Sequence, residues 1–521
     1  MRKSMLLVAA IAVLVGCSSD TTAPPPIDNT PHVGYFVTVN GSQTGDGSAA
    51  NPWNLATALA QPGIVQPGDT IWMHGGTYKG NFVSTLTGSA NAPVILRQFP
   101  GERATVDGRF DINGQYAYYW GFEVTDSDPQ RVAVDSGSRP ADLPRNMVTV
   151  YVSGPFNKII NLVIHDMGDG LYSGVPAQGL EVYGTLVYDN GWVGPDRGHG
   201  HGLYLQNQLA TKEIIDNVIF DNFSTGLKIG GTAGYLLNFH VEGNSVFLAG
   251  APALASYPYQ LNLDQEGGAE AGNSTFDHNS LYQLNGETGS FRLGITGDPV
   301  ETHSISFTNN VSQGSSSFDT WPSLTFTGNT LASGQSAYDA SGPRLLNVRM
   351  PTGVAKSNYT INNNSYYYTV AGTSTPGPFN FFEAGVNHNY TVSATGLTSL
   401  VDWRAATGWD SNSTFSVSAF SRTDVILRPN RYESGRANIT VWNWNGASSA
   451  SVDVSGILKA GDRFVVHHVY DFYGQPVASG TYSGQPISLP LKSYTPPTPL
   501  GMTAPPPSSG SEFNVFIIQK S

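Results

Sequence analysis

The chain has a single cysteine, Cys17, in 521 residues, so it can close no internal disulfide and build no cysteine metal site. Charge is also scarce: 12% of residues are Asp, Glu, Lys or Arg, and 26 basic against 39 acidic residues leave a net charge of −13. Such a surface is soluble and repels a polyphosphate backbone, which excludes nucleic acid as a partner. It also argues against a strongly acidic polysaccharide unless basic side chains are gathered in one place. The apolar stretch Met5–Val15 falls short of the ~20 residues a spanning helix needs. Helical patterning is rare near the N-terminus, where Asn54–Ala60 is the one convincing stretch. What abounds instead is glycine, at 59 residues, and aromatic side chains, at 11%. With many Asn, Ser and Thr, this composition suits an extracytoplasmic all-β protein. The length allows two or three domains, or one long repeat domain with an appendage.

The N-terminus gives a location. Arg2-Lys3, the apolar stretch and Leu14-Val15-Gly16-Cys17 have the order of a secretory signal, and the last four residues resemble the bacterial lipobox, whose cysteine is acylated. The expected organisation is a signal peptide over 1–16 and a Pro- and Thr-rich tether over 17–34, with Cys17 as the lipidation site. The protein is then held at the bacterial cell envelope by lipid alone. Ser18 after the cysteine is compatible with the outer membrane.

Six segments can be stacked on one another: 148–152, 179–183, 202–206, 226–230, 260–264 and 290–294. Apolar residues alternate in them, so Leu203, Leu205, Leu227, Ile229, Leu261, Leu263, Phe291 and Leu293 face a core. The outward column reads Glu181, Tyr204, Lys228, Asn262 and Arg292, with Tyr183, Gln206 and Asp264 two residues further on. A second pattern places Asn161, Asn217, Asn244, Asn279, Asn310, Asn329 and Asn364 between apolar residues, as a ladder of side-chain amides at one corner. From Asn217 to Asn329 its spacing varies between 19 and 35 residues, as in a solenoid whose loops differ in length. A right-handed parallel β-helix over 35–420, capped by the short helix, satisfies both patterns. Alternating strands after Thr423, with turns at Asn445-Gly446 and Gly461-Asp462, predict an antiparallel β-sandwich over 421–521.

Three stretches carry a family resemblance. The opening, with NGSQTGDGSAANPWNLATALA, GDTIWMHGGTYKGNF and PGERATVDG, is similar to the start of pectate-lyase-like right-handed parallel β-helix proteins. HGHGLYLQN (199–207) and RPNRYESGRANITVWNW (428–444) resemble bacterial members of that superfamily. The resemblance spans about residues 35–520 and implies the fold; its members include lyases, hydrolases, epimerases and non-enzymatic binders.

The column suggests a reaction. Lys228 and Arg292 lie two coils apart, roughly 10 Å between backbones, with Asn262 between them. Polysaccharide β-elimination needs a base for the C5 proton of a uronate, a cation for its carboxylate and an acid for the leaving oxygen. Like-charge repulsion from Arg292 would make Lys228 a better base. Chondroitin- and alginate-degrading lyases of this fold are similar in placing a lysine and an arginine on one helix face, and they imply calcium as a cofactor, for which Asp166-Met-Gly-Asp169 is the candidate segment. Glu181 and Asp264 are about 14 Å apart by coil count, too far for the roughly 5 to 9.5 Å of a glycosidase pair. Asp166, Asp169 and Asp264 remain candidate hydrolytic acids. His199 and His201 are read as turn residues, substrate contacts or metal ligands, and Tyr183 and Tyr204 as sugar contacts or proton donors. The expectation is a monomeric envelope enzyme that degrades a polysaccharide, with lyase chemistry ahead of hydrolysis; a non-catalytic glycan-binding or adhesion lipoprotein is the alternative from another class.

Overall fold

The computed structural model describes residues 33–521 except 232–233, 254–258, 266–269, 285–288, 295–301, 334–343, 369–376, 384, 391–397 and 419. The expected signal peptide, Cys17 and most of the expected tether lie outside the described residues.

Each coil contributes one short strand to each of three sheets. Thr70–Met73, Gly76–Lys79 and Phe82–Ser84 form one coil, and each pairs in parallel one coil along, with Val94–Gln98, Ala104–Asp107 and Phe110–Ile112 respectively. Repetition gives three 12-stranded sheets, called here sheets 1, 2 and 3 in that order. They are parallel except for the hairpin that ends sheet 3, Phe379–Glu383 with Val386–Tyr390. The architecture is a right-handed parallel β-helix with a C-terminal antiparallel β-sandwich.

The strand alternation has the expected consequence. Leu203, Leu205, Leu227, Ile229, Leu261, Leu263, Phe291 and Leu293 are all buried in the solenoid core. Each fully buried side chain of this size contributes roughly 1.5–3 kcal/mol of transfer free energy. The asparagine ladder runs from Asn217 through Asn244, Asn279, Asn310 and Asn329 to Asn364. Each amide nitrogen donates to the Oδ1 one coil on, at 2.9 to 3.2 Å, and also to an inward-facing backbone carbonyl. Asn161 is not a rung. It sits one position earlier with φ +53 and accepts a bond from Asn430 Nδ2, while Thr185 takes the place in the ladder above Asn217. The ladder position needs extended backbone, whereas Asn161 occupies the left-handed corner where Asp216 and Gly243 stand in later coils.

Both ends are covered. Leu55–Leu59 is a short helix capped by Asn54, whose Oδ1 accepts the Thr57 N–H, and it buries Leu55, Ala58 and Leu59. At the far end Thr398–Thr407 is helical, with fully buried Trp403 stacked on Phe379 and donating to Asp410.

The sandwich is built of a five-stranded and a two-stranded sheet and has its own core around Ile439, Val441, Val466, Leu489 and Ile518. It also lies along the solenoid. Outward residues of sheet 2, among them Val163, Leu186, Phe220, Phe247 and Tyr282, share an apolar core with Trp442, Tyr470, Phe513 and Ile517. Its segment 428–433 reaches over sheet 1: Arg428 pairs with Asp216 and Glu242 at 2.7 and 2.6 Å, and Glu433 accepts from Trp120 Nε1. Sheet 2 and part of sheet 1 are therefore covered. The outer face of sheet 3 takes no part in these contacts.

Candidate active site on sheet 3

The outward column of sheet 3 reads Tyr151, Tyr172, Tyr204, Lys228, Asn262 and Arg292, in register from coil to coil. The segment 179–183 is not part of it. Glu181–Tyr183 pairs with Lys158–Ile160 and Lys212–Ile215 in sheet 1, and Leu171–Ser173 fills the missing rung of sheet 3. Glu181 is buried beneath the sandwich, where it takes hydrogen bonds from Tyr432 Oη at 2.8 Å and ion-pairs with Lys158 at 2.8 Å. Tyr183 accepts the Arg431 N–H there. Sequence alternation fixes which residues of a strand face outward but not to which of three sheets the strand belongs. The repeat Gly170-Leu-Tyr172 and Gly202-Leu-Tyr204 carries the correct signal. Its glycines sit where coils touch: a Cβ on Gly170 would meet the Gly202 carbonyl oxygen at 2.4 Å, and one on Gly202 would meet that of Gly226 at 2.5 Å.

Around the column lies a cleft of about 960 Å³. Tyr151 and Tyr172 stack at 5.5 Å, and Tyr204 meets Tyr172 edge to face at 5.3 Å. Lys228 Nζ stands 5.5 Å from the Tyr204 ring centroid. Asp264 joins the charged end together: its Oδ1 is 3.5 Å from Lys228 Nζ, and its Oδ2 accepts from Arg292 and Asn262, both at 2.8 Å. Arg292 Nε also donates to Asn262 Oδ1 at 3.2 Å. The two cations expected to repel each other thus share a buried carboxylate, which offsets their repulsion.

The cleft floor is made by turn residues three positions before the column. Asp169 Oδ1 accepts the His201 N–H at 2.7 Å. Burial pushes the Asp169 carboxyl up to about 6, against the opposing pull of that bond and of Lys228. Burial and the charge of Lys228 drive the His201 imidazole well below its ordinary value, so it is neutral at physiological pH, and its Nδ1 has no hydrogen-bond partner among the described residues. His201 stands edge-on to Tyr204 at 5.2 Å. His199 lines the cleft from a different position: it stacks on Trp192 at 5.2 Å and bonds Asp196 Oδ1 at 3.0 Å. Gln206 lines the opposite side and donates to the Gly230 carbonyl.

Three arginines complete the lining, Arg109, Arg139 and Arg197. Arg109 is ion-paired with Asp111 and Arg197 with Asp196. They come from turns and from the insertion 127–148, which follow no period, and composition alone could not bring them together. Five basic side chains and two acidic ones therefore line one cleft of an acidic protein. Calcium does not fit the candidate segment. Asp166 is taken up by Arg131 and His165, Asp169 by the His201 amide, and among the described residues no group of three or more His, Cys, Asp or Glu could hold a metal ion.

Strand order and coil-to-coil pairing define the class: this is a right-handed parallel β-helix with a sandwich laid along one side. No family model matches the chain, and no curated protein matches it. Solved structures similar to it include the pectate lyase Pel9A (17% identity, 70% of this chain and 80% of that one, TM-score 0.36) and a rhamnogalacturonan lyase (14%, 65% and 83%, 0.38). A protein named XylC, solved in complex with xylose, is similar over 93% of this chain and 99% of that one, at 11% identity and TM-score 0.39. At these identities the likeness is one of fold.

Proposed function

We propose that the protein is a polysaccharide lyase that cleaves a uronate-containing glycan by β-elimination in the sheet 3 cleft. The observation that carries this reading is the concentration of cations around Lys228, Asn262 and Arg292 in a chain of net charge −13. An anionic polymer is repelled by the rest of the surface and attracted here. Arg292, with Asn262 beside it, is placed to neutralise a uronate carboxylate, which acidifies the neighbouring C5–H. Lys228, one coil from Asn262, takes the C5 proton in its neutral amine form, and Tyr204, one coil back from Lys228, supplies the hydroxyl that donates to the leaving oxygen. A second assignment within the same reaction gives the proton to His201, favoured by its neutral ring and unbonded Nδ1. Hydrolysis is less well supported, because the backbones of Asp169 and Asp264 stand three coils apart and the Asp264 carboxylate is already engaged by Lys228, Asn262 and Arg292.

The lipid anchor at Cys17, an outer-membrane location and a monomeric state belong to the same proposal. Cleavage is tested by incubating the purified protein with uronate-containing and neutral glycans. New ultraviolet absorbance from an unsaturated uronate supports elimination; reducing ends without absorbance would mean hydrolysis, and binding with neither a lectin-like role.

A further inference from the structure

We infer that the C-terminal domain completes the cleft: a strap from the sandwich pins the cleft's side wall through Arg131, a positioning residue that does not touch substrate. That this matters for glycan binding rests on the function proposed above.

The strap is the Pro-rich segment between Leu491 and Phe513. Its tip is a tight turn in which the Met502 N–H bonds the Pro499 carbonyl at 2.9 Å and Gly501 adopts φ +87. The tip reaches the insertion 127–148. The Leu500 carbonyl accepts from Arg131 Nε at 2.6 Å, and the Leu500 N–H donates to Asp166 Oδ1 at 2.9 Å.

Arg131 passes the contact on. Its guanidinium is fully buried, donates to the carbonyls of Asp189 and Gly191 at 2.7 and 3.1 Å, and pairs with Asp166. Its own carbonyl accepts the Val193 N–H, and Val193 in turn accepts from Ala133. Trp192–Val193 pairs with Gly198–His199, and Trp192 carries His199 stacked on its face at the cleft. The same insertion supplies Ser138, Arg139, Asn146 and Met147 to the cleft lining. One arginine therefore joins the strap, the insertion and the hairpin that bears His199. A buried guanidinium whose acceptors are withdrawn is costly, so the wall keeps its position only while the strap is seated.

Gly501 offers a probe far from the chemistry. A Cβ there would lie 1.9 Å from the Pro129 carbonyl oxygen, at a φ that alanine disfavours, so Gly501→Ala must lift the tip from the insertion. Hydrogen exchange on the intact protein is the first readout. The amides of Ala133 and Val193 are expected to exchange at least tenfold faster in Gly501→Ala, while those of Asn244 and Asn279 in the ladder keep the wild-type rate. Arg131→Lys, which keeps the charge but loses the fork, is expected to act in the same direction. With a uronate oligosaccharide that the wild type cleaves, KM should rise at least threefold with kcat within twofold. Unchanged wall exchange in both variants overturns the strap, and so does a loosened wall with unchanged KM. Should the wild type cleave no glycan, the proposed reaction fails and the exchange readout alone upholds or overturns the strap.

Discussion

Lys228, Asn262 and Arg292 stand one coil apart, and Asp264 ties all three together. Lys228→Arg separates the two proton assignments, because an arginine keeps the charge but cannot act as a base. If Lys228 is the base, both Lys228→Arg and Lys228→Ala lower kcat at least 100-fold; a Lys228→Arg variant within tenfold of wild type, with His201→Gln inactive, moves the base to His201. Asp169 makes the cleft sensitive to pH. Its carboxyl is raised to about 6, so it is protonated and neutral below that pH and becomes an anion beside Lys228 above it. Affinity for an anionic oligosaccharide should therefore fall as pH rises from about 5 to 7, and Asp169→Asn should flatten the slope in a titration series. Much of this site was legible in the alternation of 202–206, 226–230, 260–264 and 290–294, which sets the outward residues. Asp169 and His201 face the same cleft from turns, where no period marks a direction, and the arginines of the rim come from irregular segments.

The asparagine ladder is the element that holds coil to coil on the side away from the cleft. Asn279 donates to the Val241 carbonyl and to Asn310, and accepts from both the backbone and the side chain of Asn244. Asn279→Ala would strand several of these buried groups, at about 3 kcal/mol in total. Denaturant unfolding followed by circular dichroism should show that loss, with amide exchange fastest in the coils flanking position 279. The ladder was readable because an inward asparagine among aliphatics has few other uses. Its first rung was not: Asn161 has the right neighbours but lies at the left-handed corner, and one residue of slip moves a side chain to a different environment. The same limit explains 179–183, whose alternation suits sheet 1 and sheet 3 equally well.

At the scale of the molecule, the sandwich is a partner of the solenoid along its length rather than an appendage. Truncation before Thr423 would bare Phe220, Phe247 and Tyr282, and the remaining solenoid should aggregate, seen as a shift to the void volume in size-exclusion chromatography. Near the sandwich's edge a chain of alternating charge runs from Arg103 through Glu123, His165 and Asp166 to Arg131. Burial alone would drive the proton off His165, but its bonds to Asp166 and Glu123 outweigh that and raise its pKa to about 9. A value raised above the ordinary 6.5 means stability that is complete below about pH 6.5 and lost as pH rises through 9. Thermal unfolding should show a decline of about 2 kcal/mol between pH 7 and 9.5 that His165→Gln removes. Strand patterning made the solenoid and the sandwich legible, but their docking depends on outward aromatic residues of sheet 2 that sequence alone reads as surface. Docking leaves the outer face of sheet 3 open, and the proposed function requires that an anionic glycan bind there. Calorimetric titration of a uronate tetrasaccharide and a neutral one of equal length, into wild type and Arg292→Ala at low salt, tests it most directly. Tight binding of the uronate alone, weakened at least tenfold by the substitution, is expected; equal binding of both sugars, or no effect of Arg292→Ala, would overturn the proposed site.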